Sequence, residues 1–340
     1  MRSRLEHRLN QIWYGGQEAP AWLKALSPLY RAGFVLHRAL QSARRPADLK
    51  QRAILVIGNL TAGGSGKTPL VISLCQTLRQ AGLHPGVVSR GYGRSRSRLI
   101  RVQRHSDPRE VGDEPLVIAQ RAGVPVVVAS DRCAASRQLF QQGIDVVIAD
   151  DGLQHHRLPR QLEICVVDGD REFGNGLLLP AGPLREPLSR LQSVDLVVIN
   201  GNETLECGFE PAVPMQLLPG LLHALHGEET WRLTQFRGCR VNAVAGIAHP
   251  QRFFRTLEQA GLNVDGHVFP DHHAYRQADF ASLEGGLPII MTEKDAVKCR
   301  QLQLDNAWYL AVEASLPAAV EADLLARIAP RIGVKRNTDG

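Results

Sequence analysis

Residues 61–68, Thr-Ala-Gly-Gly-Ser-Gly-Lys-Thr, carry the most legible chemistry in this 340-residue chain. Consecutive backbone N–H groups of a glycine-rich turn can curl around a phosphate, and a helix starting at the end of the turn adds its positive pole. On that pattern Thr61, Ala62, Gly63, Gly64, Ser65 and Gly66 cradle a nucleotide phosphate. Lys67 reaches the β- and γ-phosphates, and the Thr68 hydroxyl sits on Mg²⁺. Thr61 stands where the usual spacing has its first Gly; the neighbouring Gly63-Gly64 pair supplies the flexibility. A second signal follows at Ile144–Ala149, an apolar stretch that ends in Asp150-Asp151-Gly152. A carboxylate at the end of a buried strand, paired with a phosphate loop, holds Mg²⁺ or its water. Asp150 and Asp151 are both candidates, and the spacing does not choose between them.

Other polar groups are less specific. Arg90 ends an apolar stretch beside Gly and opens a run of six Arg (90, 94, 96, 98, 101, 104). Arg suits bidentate phosphate recognition, although a solvated, flexible hairpin explains most of the run equally well. Asp113 and Glu114 lie in a Gly-Asp-Glu-Pro turn ahead of a helix, where capping is the commoner role for acids and catalysis the alternative. Gln154 and His155 follow the second carboxylate pair and suit a polar wall of a cleft. Arg185 ends a long Gly-, Pro- and Leu-rich loop from Phe173, which either touches substrate or serves as a lid. Asp271-His272-His273 ends another strand; a histidine there is a base, a base-orienting partner or a plain surface residue. Thr292 to Asp295 reads as a helix cap.

These residues need a frame. The periodicity predicts strands at Ala53–Ile57, Pro85–Ser89, Val124–Ala129, Ile144–Ala149, Leu162–Asp168 and Val194–Asn200, with helices from Lys67 to Gln80 and from Asp131 to Gln142. After Gly201 the alternation weakens. Residues 213–235 read as two short strands around His-Gly-Glu-Glu, and a second α/β set begins at Cys239. It comprises strands Val241–Gly246, Asn263–Phe269, Leu287–Met291 and Trp308–Val312, with helices Pro250–Ala260 and Ala278–Leu283. The expected fold is α/β: a P-loop NTPase-like, mostly parallel sheet with helices on both faces. A second, smaller α/β domain is joined to it by a two-stranded linker. The expected units are residues 1–45, 46–212, 213–236, 237–330 and a flexible tail, 331–340.

Composition narrows the class. Hydrophobic residues are 44% and charged residues 22%, an ordinary globular balance. Six scattered Cys without a CxxC pair fit reduced, mostly buried thiols. No signal peptide is visible, and no apolar run reaches membrane-spanning length. The formal charge of +6 is concentrated at the start, where residues 1–52 hold ten Lys or Arg against three acids. Leu23, Leu26, Leu29, Tyr30, Phe34, Leu36 and Leu40 recur there at helical spacing among Lys24, Arg31, Arg38, Arg44 and Arg45, with Trp13, Tyr14 and Trp22 as interfacial aromatics. Ser27-Pro28 predicts a break and a second helix from Pro28. The segment suits an amphipathic element lying on an anionic bilayer surface; the alternative is a helix pair packed on the core. Low aromatic content without a basic–aromatic repeat argues against nucleic acid.

In order, GNLTAGGSGKTP, SRGYGR, GDEP, DDGLQHHRL, LLPAGPLREP, FPDHH and TEKDAVK resemble the tetraacyldisaccharide 4'-kinases, the lipid A 4'-kinases of Gram-negative bacteria, over residues 13–300. The resemblance implies transfer of the γ-phosphate of ATP, with Mg²⁺, to the 4'-hydroxyl of an acylated glucosamine disaccharide 1-phosphate, giving lipid IVA. It implies a peripheral or monotopic protein on the cytoplasmic face of the inner membrane, with no obligate protein partner. Carried over by motif, Lys67 and Thr68 hold the phosphates and metal, and Asp150 and Asp151 are the metal-holding acids. Asp113 activates the sugar hydroxyl with His272 as its partner, a role His273 could share, and Lys67 joins them as catalytic. Arg90, Glu114, Gln154, His155 and Arg185 are expected around the substrate. Other readings of the loop are a nucleotide-controlled switch ATPase or GTPase, and a membrane adaptor with a vestigial phosphate loop.

Overall fold

The structure, a computed structural model, describes residues 2–92, 98–201 and 212–332, with side chains from residue 8 onward. Arg94 and Arg96 of the arginine run, Cys207 and the tail from residue 333 lie outside the described residues, as do the side chains of Arg2, Arg4 and Glu6.

Two helices open the chain, α1 (Arg2–Tyr14) and α2 (Ala21–Ala43). Then follow β1 (Ala53–Gly58), α3 (Lys67–Gln80), β2 (Pro85–Ser89), β3 (Ile100–Val102), α4 (Pro108–Val111), α5 (Asp113–Ala122), β4 (Val126–Val128), α6 (Arg132–Gln141), β5 (Val146–Ala149), β6 (Leu162–Asp168) and β7 (Leu196–Asn200). The remainder is β8 (Ala212–Ala224), β9 (Thr230–Arg232), β10 (Arg240–Ala245), α7 (Pro250–Gln259), β11 (Asn263–Val268), β12 (Ile289–Thr292), α8 (Glu293–Cys299), β13 (Ala307–Ser315) and α9 (Ala318–Ile328).

Among the described residues the strands form one sheet in the order β11-β10-β12-β13-β8-β7-β6-β1-β5-β2-β4-β3, with β9 on β8. The central strands β1, β2 and β6 are buried along their whole length, as parallel strands covered on both faces must be. Side chains alternate between the faces. Ala53, Leu55 and Ile57 of β1 meet α3, α5 and α9 on one side, while Ile54 and Val56 meet α6 and the segment from Leu153 to Leu191 on the other. The long strand β8 makes the sheet continuous: it runs parallel to β7 and antiparallel to β13. The last helix then returns to the first half, where Leu324 and Ile328 join the core around α3 and Glu321 accepts a bond from Thr77 at 3.2 Å.

Three expectations need correction. Helix α2 is continuous, with Pro28 inside it. Ser27 does not cap a new helix because its hydroxyl donates to the Leu178 carbonyl at 2.9 Å, a tertiary contact that outweighs the local capping signal. The segment expected as helix 278–283 forms a single 3₁₀ turn, Gln277–Phe280, held by the Asp279 carboxylate accepting from the Arg276 backbone N–H. The far part of the arginine run is solvated as expected, with Arg98, Arg101 and Arg104 exposed, but it is no hairpin: β3 pairs antiparallel with β4 as the sheet's edge, with three strands between it and β1.

Candidate active site

Parallel α/β sheets bind ligands at the carboxyl ends of their strands, and here those ends gather the polar residues. β5 pairs directly with β1, Val56 opposite Ala149, so Asp150 and Asp151 emerge beside the loop that follows Gly58. Gly66 takes φ +88° and precedes α3, whose first residues are Lys67 and Thr68. Positive φ is accessible to Gly at little cost, and Gly63 uses the same freedom at φ +121°. The loop is tied from three sides. Asn59 Nδ2 donates to the Gly63 carbonyl at 3.1 Å, Asn200 Nδ2 at the end of β7 donates to the Ser65 carbonyl at 3.2 Å, and the Ala62 N–H donates to the Pro183 carbonyl at 2.8 Å. Thr61 bridges to Leu184.

Lys67 Nζ lies 3.4 Å from Asp151 Oδ1, and Arg185 reaches the other oxygen of that carboxylate at 3.3 Å. Burial opposes the Asp151 charge, but Lys67 and Arg185 outweigh it and hold the group ionised well below the usual carboxylate range. Asp151 itself takes φ +48°, a conformation non-Gly residues adopt only when their surroundings impose it. Asp150 differs. It is fully buried, accepts a bond from Ser89 Oγ at 3.0 Å, and is pushed up to about 7 by burial, then by the Glu114 and Asp151 charges.

Asp113 opens α5 and is 5% exposed. His272, in the turn after β11, approaches it from the other half of the sheet: Nδ1 lies 2.9 Å from Oδ2 and 3.1 Å from Oδ1. Burial would raise the Asp113 carboxyl, but the bond from His272 and the Lys294 charge bring it to about 2. Burial also opposes charge on His272, yet the bond to Asp113 prevails and its pKa stands above the ordinary histidine value. His273 points elsewhere, onto Asp279 at 3.0 Å and against Phe269 and Tyr275.

The remaining sequence-predicted residues divide. Gln154 donates to the Glu186 carboxylate at 2.9 Å and to the Asn59 carbonyl at 3.1 Å, and Arg185 is 3.5 Å from its Oε1. Both therefore stand at the loop. Glu114 accepts from Lys294 at 3.1 Å. His155 is largely enclosed, and burial, with Arg132 nearby, lowers it to about 4. Arg90 is exposed at the end of β2. Three further residues at the site carry no sequence signal of their own. Asn200 supports the loop. Arg132 is buried at the start of α6, where burial lowers its pKa against the opposing charges of Asp151 and Asp150. Lys294 contacts Glu114, Asp271 and His272. A lysine inside a capping motif reads as a solvated helix end, and only the folding of α8 against α5 reveals it.

A family model described as Tetraacyldisaccharide-1-P 4'-kinase matches residues 19–329. The chain belongs to that family. A tetraacyldisaccharide 4'-kinase of Hahella chejuensis is 47% identical over 328 residues, covering 94% of this chain and 96% of its own. That of Halorhodospira halophila is 48% identical over 323 residues, covering 92% and 94%. Among solved structures, the "apo" form of LpxK from Aquifex aeolicus in complex with ATP matches with a TM-score of 0.70 at 26% identity, covering 91% of this chain and 97% of that one. This kinase uses ATP to phosphorylate the 4'-hydroxyl of tetraacyldisaccharide 1-phosphate in lipid A biosynthesis.

Proposed function

We propose that the kinase assembles its acceptor-activating group from both halves of the sheet, with Asp113 receiving the 4'-hydroxyl and His272 orienting the carboxylate. The 2.9 Å contact between residues 159 positions apart carries this reading. A loose phosphoryl-transfer transition state asks for a positioned acceptor more than for a strong base. Asp113, ionised and held by an Nδ1–H donor, supplies the position and takes the hydroxyl proton as the new O–P bond forms. Lys67 exchanges its contact with Asp151 for the β- and γ-phosphates, and the backbone of residues 61–66 surrounds them.

The acids fit Mg²⁺. Its donors are hard oxygens, and Asp150 is a buried carboxylate whose proton is held by burial and then by the Glu114 and Asp151 charges, a proton that a divalent cation can replace. Thr68, Asp150 and Asp151 would hold it. When bound, Mg²⁺ neutralises charge developing between the β- and γ-phosphates. Arg185, Gln154, Glu114, His155 and Arg90 are proposed to border the sugar and its phosphate, Arg185 and Gln154 from the loop side.

The N-terminus supplies the membrane face. Leu23, Ser27, Tyr30 and Phe34 of α2 point inward: Leu23 is buried, Ser27 and Tyr30 donate to the Leu178 and Arg185 carbonyls, and Phe34 meets His156 edge-on. The outward face presents Trp22, Leu29 and Leu36 at 65%, 69% and 62% exposure, with Leu26 and Leu40 between and beyond them. Among the described residues no helix is long and apolar enough to cross a membrane. An exposed apolar stripe flanked by basic residues fits the surface of an anionic bilayer, and the cytoplasmic face is where ATP is available. Because Tyr30 holds the backbone of Arg185, that surface adjoins the phosphate loop.

Single-turnover transfer from γ-labelled ATP to detergent-dispersed tetraacyldisaccharide 1-phosphate tests the reading. Asp113→Ala is expected to slow the step by at least about 10²-fold, the worth of one positioned acid–base group, while ATP affinity stays within about twofold of wild type, the loss falling on the chemical step rather than on nucleotide binding. Turnover near wild type in this variant removes the assignment.

A further inference from the structure

Helix α8 begins with three charged residues that each bind a different part of the molecule. Glu293 accepts from Arg121 of α5 at 2.6 Å, and Asp295 accepts from the Gly246 N–H at the end of β10 at 2.9 Å. Lys294, between them, places Nζ 3.1 Å from Glu114 Oε1, 3.3 Å from Asp271 Oδ1 and 3.4 Å from His272 Nε2. A lysine ammonium has three donors and no acceptor. An ammonium facing Nε2 favours a lone pair there, with the ring proton on Nδ1, the atom that meets Asp113, while the Asp271 carboxylate 3.8 Å from the same Nε2 pulls the other way. An imidazolium would instead turn an N–H toward the ammonium.

We propose that Lys294 is a positioning residue that opposes protonation of His272 and favours the ring tautomer carrying its proton on Nδ1, so that Asp113 faces the acceptor hydroxyl as a carboxylate beside an imidazole rather than an imidazolium. The inference rests on the Asp113–His272 reading above and extends it to how the pair's charge is set. A carboxylate bound to imidazolium is a weaker proton acceptor than one bound to neutral imidazole. The groups facing the ring pull in both directions. Asp113 on α5 and Asp271 on its own turn favour protonation, Lys294 on α8 and burial oppose it, and the Tyr92 ring packs at 5.0 Å. Glu114 stands behind Lys294, which neutralises it together with Asp271. Removing the ammonium takes away the opposing charge and exposes two carboxylates at once, so every consequence raises the affinity of His272 for a proton. Lys294 itself is securely charged: burial opposes its charge, but Glu114, Asp113 and Asp271 outweigh it.

The test uses the full chain labelled with ¹⁵N-histidine, the His272 resonance being assigned by its absence in His272→Gln. Lys294→Met and Lys294→Arg are compared with wild type for the titration of that ring and for the acid limb of kcat/KM. In Lys294→Met both are expected to move to higher pH by about one unit, the scale of losing a neighbouring charge. Lys294→Arg, which keeps a cation, is expected to restore both. A folded Lys294→Met protein in which neither the ring nor the limb moves overturns the proposal, since a structural role alone lowers the melting temperature without displacing a titration. Where the Met variant does not fold, Lys294→Gln is read in the same way. Asp113→Ala in the same series keeps the two ideas apart. Undiminished turnover there would remove the base assignment, while the NMR titration still decides what Lys294 does to the ring.

Discussion

The side-chain amide of Asn200 lies 2.5 Å from where a Cβ on Gly66 would stand, and it donates to the carbonyl of the preceding residue, Ser65, at 3.2 Å. The end of β7 thus holds the phosphate loop in a shape that only glycine allows. Gly66→Ala meets both that clash and a φ of +88°. Strain of this kind costs about 1–3 kcal/mol. We expect ATP affinity to fall by at least about tenfold, the equivalent of 1.4 kcal/mol. Isothermal titration with ATP checks this, and unchanged affinity would show that the loop can move off Asn200.

The metal assignment has a pH signature. Asp150, raised to about 7, binds its proton more tightly in the folded chain than in the unfolded one. A buried carboxyl raised in this way costs stability as pH climbs past its unfolded value, and the cost is complete above the folded value. The melting temperature of the metal-free kinase should therefore fall between about pH 4 and pH 7 through this group. Mg²⁺ competes with the proton, so its stabilisation should be larger at pH 8 than at pH 6. Asp150→Asn should remove that pH dependence together with phosphate transfer. Equal Mg²⁺ stabilisation at the two pH values would count against Asp150 as a ligand.

Charging the outward face of α2 tests the membrane surface. Leu29→Glu with Leu36→Glu alters side chains that are 69% and 62% exposed, so folding stability should change by less than about 1 kcal/mol. Sedimentation with anionic vesicles should drop and the apparent KM for lipid should rise. Unaltered sedimentation would assign membrane contact to another surface.

A stability prediction concerns Glu163, which pairs with Arg160 at 2.5 Å and with Arg190, while Arg190 also reaches Glu186 at 3.4 Å. These groups are nearly enclosed. Breaking a buried ion pair by removing one partner leaves charge without compensation and costs about 3–5 kcal/mol. Chemical denaturation of Glu163→Ala should show that loss. Because Glu186 anchors Gln154 at 2.9 Å, the variant should also loosen the wall beside Arg185.

The sequence was most informative where one local rule acts alone. The strands Pro85–Ser89 and Leu162–Asp168 are buried along their whole length, and their bounds match the reading from residue types. The strand, glycine turn and helix from Ala53 to Gln80 are legible because each follows from its own residue types. Helix α2 runs through Pro28 because a tertiary partner, the Leu178 carbonyl, takes the Ser27 hydroxyl that local rules assign to a cap. Spacing alone ranked Asp113 as a cap and His272 as a surface residue; only the family resemblance raised them, since each is commonplace without the other. His272 also takes φ +59°, which no sequence pattern announces. Lys294 stayed hidden for the same reason, as its three partners come from two other segments.

The central claim is that Asp113 and His272 act as one unit across the sheet, and a double-mutant cycle tests it most directly. Single-turnover phosphate transfer would be measured for Asp113→Ala, His272→Ala and the double variant. Residues that act as a unit are non-additive. The account predicts that the double variant is no slower than Asp113→Ala alone, to within about threefold, the scatter left by additivity errors of a few tenths of a kcal/mol. Losses that multiply would show two independent contributions and contradict it.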